Sequence, residues 1–361
     1  MKMKTIWSHR SNQISCTREN NGWSQKQMDI TTNKPGNSVE SGNHESQMTN
    51  LPDFTPRMFC HSGHIQTIAS SLLGSESIGI VQERTFATPD NDFLEWDWFD
   101  AGSKSPIVVL LHGLEGSSKR YYIVKSTEVL TRNGFSTAAL NFRSCGPHMN
   151  KTPRFYHSGE TGDVALFVSH LRELYPDRPM FAVGYSLGAN MLLKWLGETG
   201  STCPLQLAIA VSAPYDLHLC SDSLGKGFNN IYQQYFLRSL KRKIRLKRHS
   251  IPSIPSYNGY SLAEFDDQVT APLHGFKGVD DYYSRASCGQ FISGIQVPTL
   301  IVHSRKDPIC PIDAVPVKKM STNKNLQTII TNEGGHIGYF GYPSDYLSRL
   351  IVSFFKKQYQ N

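Results

Sequence analysis

Met180-Phe-Ala-Val183-Gly184-Tyr185-Ser186-Leu187-Gly188-Ala-Asn190-Met-Leu-Leu-Lys-Trp-Leu196 is the stretch whose reading decides the fold. An apolar run of strand length, Met180 to Val183, meets Gly-x-Ser-x-Gly and then a helix-like run, Asn190 to Leu196. In that setting the pentapeptide predicts a sharp strand-to-helix turn that lifts the Ser186 hydroxyl above a sheet. Glycine at 184 and 188 has a steric reason. The turn holds the serine in a strained backbone conformation, and a side chain two positions away would strike the adjoining strand or helix. The pentapeptide alone recurs by accident, so the flanking signals carry the inference.

On either side of this turn, short apolar runs alternate with helix-period segments. Val81 to Phe86 and Phe93 to Phe99 read as a strand pair broken by Pro89-Asp90-Asn91-Asp92. Further strands are predicted at Ile107 to Leu111, Ser136 to Asn141, Met180 to Val183, Leu207 to Ser212, Thr299 to His303 and Leu326 to Thr331. Several are continuously apolar and rich in Val and Ile, as strands covered on both faces should be. Helices are predicted at Tyr122 to Asn133, Gly162 to Tyr175 and Asn190 to Glu198. The alternation implies an α/β protein with a mostly parallel sheet and helices on both faces. The connection between Ala213 and Val297 is far longer than the roughly 30 residues of a crossover unit. Residues 214–296 are therefore expected to form an inserted helical cap over the carboxyl ends of the strands.

Composition sets the bounds. A chain of 361 residues with 39% hydrophobic content can bury a sizeable core. A net charge of +7 permits attraction to anionic surfaces without demanding nucleic acid. Seven cysteines, with no CxxC pair and no zinc spacing, argue against a disulfide framework and fit a reducing compartment, with the cytosol as default. The amino-terminal stretch has no signal-peptide core, and nothing approaches the roughly 18 apolar residues of a membrane span. Residues 1–50, rich in Asn, Ser, Thr, Gln and Gly, read as a disordered polar tail, and the folded domain as 51–361.

A serine hydroxyl becomes nucleophilic only when a base removes its proton, and the base needs a third group to fix its tautomer. With an elbow serine the chain order is Ser, then Asp or Glu, then His, on loops after later strands. Asp307 follows the run ending at His303, and His336 follows the run ending at Thr331, behind two glycines. Both fall at carboxyl ends of strands, where open α/β sheets bind ligands. Asp216 is the rival carboxylate, and Asp313 a weaker third. The twelve other histidines have hydrogen-bonded structural or surface roles as their ordinary reading. An oxyanion needs amide donors aimed in advance. Leu187, after the nucleophile, supplies one, and Leu114, in His112-Gly-Leu-Glu-Gly116, supplies the other, with one residue of latitude.

Several segments together are similar to the YheT/EMB8-like branch of α/β-hydrolases. They are His64-Ile-Gln-Thr-Ile68, His112-Gly-Leu-Glu-Gly-Ser-Ser118, Asn141-Phe-Arg143, Pro153-Arg-Phe-Tyr-His-Ser-Gly-Glu-Thr161, Gly184-Tyr-Ser-Leu-Gly-Ala-Asn190, Thr270-Ala-Pro-Leu-His-Gly-Phe276 and Gly334-Gly-His-Ile-Gly338. The resemblance runs from about Phe54 to the carboxyl terminus. It implies an α/β-hydrolase fold and a serine ester hydrolase whose triad falls on Ser186, Asp307 and His336. Relatives act on carboxylic esters, including acylglycerols and phospholipids. Where relatives more often read Gly-Cys-Ser after Asn-Phe-Arg, this chain reads Ser144-Cys145-Gly146, all small residues, so the turn is expected to survive.

Weaker signals have two readings each. Arg238 to Arg248 carries seven basic residues interleaved with Leu240, Ile244 and Leu246. Its ordinary reading is a solvated cap helix, and its sharper one is a helix laid on an anionic membrane. Cys60, His61 and His64 are metal-ligand types in no zinc spacing and read as structural; Cys145 and Cys310 read as packing residues. None of the thirteen histidines has an aspartate five positions on, so the HxxxxD acyltransferase signature is absent. The expectation is a serine esterase or lipase-like enzyme for small-molecule or lipid esters, with no cofactor, no metal and no nucleic acid. An amidase, thioesterase or acyltransferase on the same triad is the alternative, and a non-catalytic lipid-binding scaffold a further one.

Overall fold

A computed structural model describes residues 53–72 and 81–359. The expected polar tail lies outside the described residues. The core is an eight-stranded sheet in the order β2-β3-β5-β4-β6-β7-β8-β9. The strands are β2 (Gln82–Ala87), β3 (Phe93–Phe99), β4 (Ile107–Leu111), β5 (Ser136–Asn141), β6 (Met180–Tyr185), β7 (Leu207–Val211), β8 (Thr299–Ser304) and β9 (Leu326–Thr331). The two amino-terminal strands of the sheet run antiparallel, β2 to β3 and β3 to β5, and the remaining pairs are parallel. A separate two-residue pairing joins β1 (Thr55–Pro56) to β10 (Gly341–Tyr342).

Strand alternation places the side chains of the inner strands, β4 to β8, in two cores. Ile107, Val109 and Leu111 of β4 enter one apolar cluster, and Val108 and Leu110 enter the other. The first cluster is closed by helices on one face of the sheet. These are α3 (Thr161–Leu174), through Val164, Phe167 and Leu171, and α4 (Leu187–Thr199), through Met191, Leu192 and Trp195. The second is closed by α2 (Tyr121–Arg132), through Ile123 and Leu130, and by the carboxyl-terminal helix Tyr346–Tyr359, through Leu350, Phe354 and Phe355. The helix preceding all of these, α1 (Gly63–Leu72), leads into the site.

Between β7 and β8 lie α5 (Leu217–Leu224), α6 (Asn230–Ser250) and α7 (Val279–Ala286), with short helical turns among them. This insertion has its own apolar cluster, in which Leu224, Leu237, Ile244, Ile254, Leu262 and Phe265 meet Ile309 and Cys310. Its last segment behaves differently. Cys288, Ile292 and Ile295 pack into the main cluster against α4, and the Cys288 N–H donates to the buried Asn190 side chain at 2.9 Å.

Ordering after β5 depends on one buried cation. Arg143 is almost fully enclosed and donates to Asp163 at 2.7 and 2.8 Å, with Asp90 and Asp92 at 3.0 and 3.2 Å. The turn that follows survives the Ser-Cys-Gly variation, since the Cys145 N–H donates to the Phe142 carbonyl at 2.8 Å. Ser144 there adopts φ 61°, in the left-handed region that residues other than glycine enter uncommonly.

Candidate active site

Ser186 sits between β6 and α4 with φ 53° and ψ −119°, a strained conformation held by the elements it joins. The two flanking glycines are required by close approach. A Cβ on Gly184 would stand 2.5 Å from the Gly188 carbonyl, and one on Gly188 would stand 2.5 Å from the carbonyls of Leu111 and His112. A methyl group at either place would push the helix away from the sheet.

The loop after β9 carries His336 to this serine. Its Nε2 lies 2.8 Å from Ser186 Oγ, and its Nδ1 lies 2.9 and 3.1 Å from the two oxygens of Asp307. A carboxylate only accepts, so Nδ1 carries the proton and Nε2 is left to accept from the serine hydroxyl. Asp307 is itself fixed, accepting from the Ile309 and Cys310 N–H groups at 2.9 Å each. Burial alone would raise its carboxyl, but the His336 ring, a hydrogen bond from it, the His303 ring and the Cys310 amide hold it below the ordinary value. The structure thus brings together three residues separated by 150 and 29 positions. Asp216, the rival carboxylate, instead caps α5 by accepting from the Leu219 N–H at 3.1 Å. Asp313 lies in the turn Ile312–Ala314.

The two expected amide donors, Leu114 and Leu187, both line the pocket at Ser186. Their neighbours are committed elsewhere. The Gly113 N–H donates to the Tyr122 hydroxyl at 2.9 Å, Glu115 N–H to the Tyr156 hydroxyl at 2.8 Å, and Gly116 N–H to the Gly113 carbonyl at 3.0 Å. Among the described residues neither Leu114 N–H nor Leu187 N–H has an acceptor. His112 aims the loop. Fully buried, its ring is pushed down to about 3 and stays neutral; its Nδ1 donates to the Gly113 carbonyl at 2.7 Å, while Nε2 accepts from the Phe142 N–H at 3.1 Å. In the trans peptide that follows, the Leu114 N–H points opposite to that carbonyl.

Other residues support this arrangement that sequence reasoning passed over. Thr67 of α1 accepts from the His336 N–H at 2.8 Å and donates to the Gly63 carbonyl at 2.7 Å. Gln66 beside it donates to the Cys60 and Phe340 carbonyls, tying the loop after His336 to α1. His64 faces the insertion, its Nδ1 3.2 Å from the Tyr232 hydroxyl. Glu115 has a fully buried side chain that accepts from Tyr156 at 2.7 Å, from Ser239, and from Lys243 of α6 at 2.8 Å. The one sequence sign for these residues was the presence of His64-Ile-Gln-Thr and His112-Gly-Leu-Glu among the family-like segments.

Above Ser186 lies a pocket that, with the open solvent at its mouth, spans roughly 1040 Å³. The insertion supplies most of its roof through Leu224, Phe236, Leu240, Ile244 and Phe265, and Leu114, Phe155 and Leu187 come from below. Two groups of residues have metal-ligating types with ligand atoms within 4.8 Å of one another. In one, Asp307 and His336 already face each other. In the other, Glu160 accepts from Arg154 at 2.7 Å and His157 Nδ1 accepts from the Gly159 N–H at 3.2 Å, so protein partners engage both.

A parallel sheet with a serine elbow, and a histidine-bearing loop after its last strand, define the α/β class of elbow-type hydrolases. A family model described as alpha/beta hydrolase fold matches residues 106–343. An Escherichia coli K12 protein, YheT, described as an esterase, is 33% identical over 305 residues, covering 82% of this chain and 89% of that one. Human phospholipase ABHD3 is 30% identical over 318 residues, covering 83% of this chain and 78% of that one. Among solved structures, the Pyrococcus furiosus esterase Pf2001 superimposes with a TM-score of 0.56 at 17% identity, over 85% of this chain and 98% of that one. The chain belongs to the α/β-hydrolase family, in its YheT/EMB8-like branch. Among the described residues no helix is long and apolar enough to cross a membrane.

Proposed function

We propose that this protein is a serine ester hydrolase in which Ser186, His336 and Asp307 form the catalytic triad. Ser186 Oγ attacks the ester carbonyl carbon as His336 Nε2 takes its proton, and Asp307 steadies the imidazolium that results. The carbonyl oxygen gains the negative charge and is received by the N–H groups of Leu114 and Leu187. Collapse of the tetrahedral intermediate breaks the bond to the leaving alkoxide, which takes the proton from His336. Water, deprotonated by the same ring, then attacks the acyl-serine; the acyl–Oγ bond breaks, His336 returns the proton to Ser186 Oγ, and the acid is released. The observation that supports this reading above all is the unbroken Ser186–His336–Asp307 relay at 2.8 and 2.9 Å. The naming of relatives as esterase and phospholipase supports the ester class.

The walls of the pocket favour an acyl chain. Apolar side chains dominate its lining, as they do in most small-molecule sites. A short or medium acyl chain carried by an alcohol such as a glycerol derivative fits that character. We assign residues 214–296 the role of cap, because side chains from this insertion roof the pocket.

Ser186→Ala, assayed with short-chain p-nitrophenyl esters, is expected to lose at least about a thousandfold in kcat while its circular dichroism is unchanged. A fluorophosphonate probe should label the parent chain at Ser186 and leave the variant unlabelled. Turnover by the variant at the parent rate would refute the assignment.

A further inference from the structure

The charge of this protein is concentrated in one place. Residues 223–263 contain no Asp or Glu and eight Lys or Arg, more than the +7 of the whole chain, so all the other residues sum to −1. Most of those basic residues lie on α6, the 21-residue helix that crosses the insertion. Its exposed positions Ile231, Tyr235, Arg238, Arg242, Arg245 and His249 are spaced by four and three, so they form a single outward stripe.

Two features distinguish this stripe from an ordinary solvated face. Arg238, Arg242, Arg245 and Arg248 have no carboxylate partner among the described residues, whereas Lys243, on the inner side, is paired with Glu115. Large apolar side chains accompany the charges: Phe228, Ile231 and Leu246 are each more than half exposed, and Tyr260 is 76% exposed. Unpaired guanidinium groups with exposed aromatic and aliphatic side chains match an anionic bilayer, whose phosphates take the charges and whose headgroup boundary takes the apolar groups. A nucleic acid would use the guanidinium groups and leave aliphatic Ile231 and Leu246 in water. The inner side of the same helix contributes Phe236, Leu240 and Ile244 to the pocket above Ser186.

We propose that the outer face of α6 docks the protein on an anionic lipid bilayer, setting the roof of the acyl pocket against the membrane that supplies lipid esters. The purpose of docking rests on the hydrolase reading; the docking itself does not. The full chain, incubated with sedimenting vesicles of pure phosphatidylcholine or of phosphatidylcholine with phosphatidylserine, should pellet only with the anionic vesicles and be released by salt. The triple variant Arg238→Glu, Arg242→Glu, Arg245→Glu should bind anionic vesicles at least about a hundredfold more weakly. Its turnover of a soluble p-nitrophenyl ester should match the parent's, since none of the three lines the pocket. Should the charge-reversed chain fail to fold, the corresponding Arg→Gln triple variant and the salt titration of the unmodified chain decide the question. Ser186→Ala should bind vesicles as the parent does. If it also retained ester turnover, the hydrolase reading would fall and the docking would stand. Equal recovery with neutral and anionic vesicles, recovery with neither, undiminished binding by both triple variants, or capture of an RNA oligonucleotide without vesicle binding would overturn the proposal.

Discussion

Thr67 shows how much the proposed triad depends on residues outside the pocket. Its hydroxyl oxygen accepts the His336 N–H, and its own proton goes to the Gly63 carbonyl, so one side chain fixes the backbone that carries the imidazole. Thr67→Val keeps the shape and removes that acceptor, leaving an amide enclosed without a partner at a cost of about 1–3 kcal/mol. We expect kcat toward p-nitrophenyl esters to fall roughly tenfold to a hundredfold with little change in KM, because the ring loses its register while the pocket is untouched. Thr67→Ser, which restores the oxygen, should recover most of the loss. Ser186, Asp307 and His336 could be found from the sequence because each follows a strand signal. The role of Thr67 could not, beyond its place in a family-like segment, because its partner lies 269 residues away and helix propensity says nothing about it.

Among the elements, α6 stands out because it connects the insertion to the loop from His112 to Gly116. Lys243 reaches inward to Glu115, the residue after Leu114, and also stands 3.0 Å from Cys145 Sγ. Burial opposes its charge, but Cys145 and Glu115 raise its affinity for the proton. Removing one partner of a buried pair strands the other, so Lys243→Met should destabilise the protein by about 3–5 kcal/mol in urea unfolding. The double variant Lys243→Met, Glu115→Gln should recover most of that loss. If the single variant were neutral, Glu115 would have to be solvated by some other route. The basic run at Arg238 to Arg248 read as a helix in the sequence and lies within α6, where Leu240 and Ile244 turn toward the pocket and Leu246 faces outward. Which lysine turns inward was not legible, because Lys247 is buried and Lys243 half-buried among arginines that are not buried and have no carboxylate partner among the described residues. The elbow helix begins at Leu187, three residues before the periodic run at Asn190, because the geometry of the turn starts it and not apolar periodicity.

At the scale of the whole molecule, stability against pH is set partly by Asp266, a pocket residue whose carboxyl burial pushes up to about 6 despite hydrogen bonds from Thr270 and Tyr283. A raised folded value means that its contribution is fully present below its ordinary value of 3.8 and is lost as pH rises through about 6. Asp266→Asn should therefore raise stability by about 1–2 kcal/mol above pH 6, after allowance for solvent in the pocket, and give no gain near pH 4. Thermal melts at the two pH values check this, and an equal gain at both would remove ionisation as the cause. By itself the sequence determined the alternating parallel sheet, the elbow at Ser186 and the strand ends bearing Asp307 and His336. Those features rest on local periodicity and on turn chemistry within a few residues. Only the tertiary structure decided which histidine meets the serine, which carboxylate meets that histidine, which loop amide is left free, and which face of α6 looks outward. Each of these is a choice among chemically equivalent groups far apart in the chain, and it is made by packing, which no local pattern encodes.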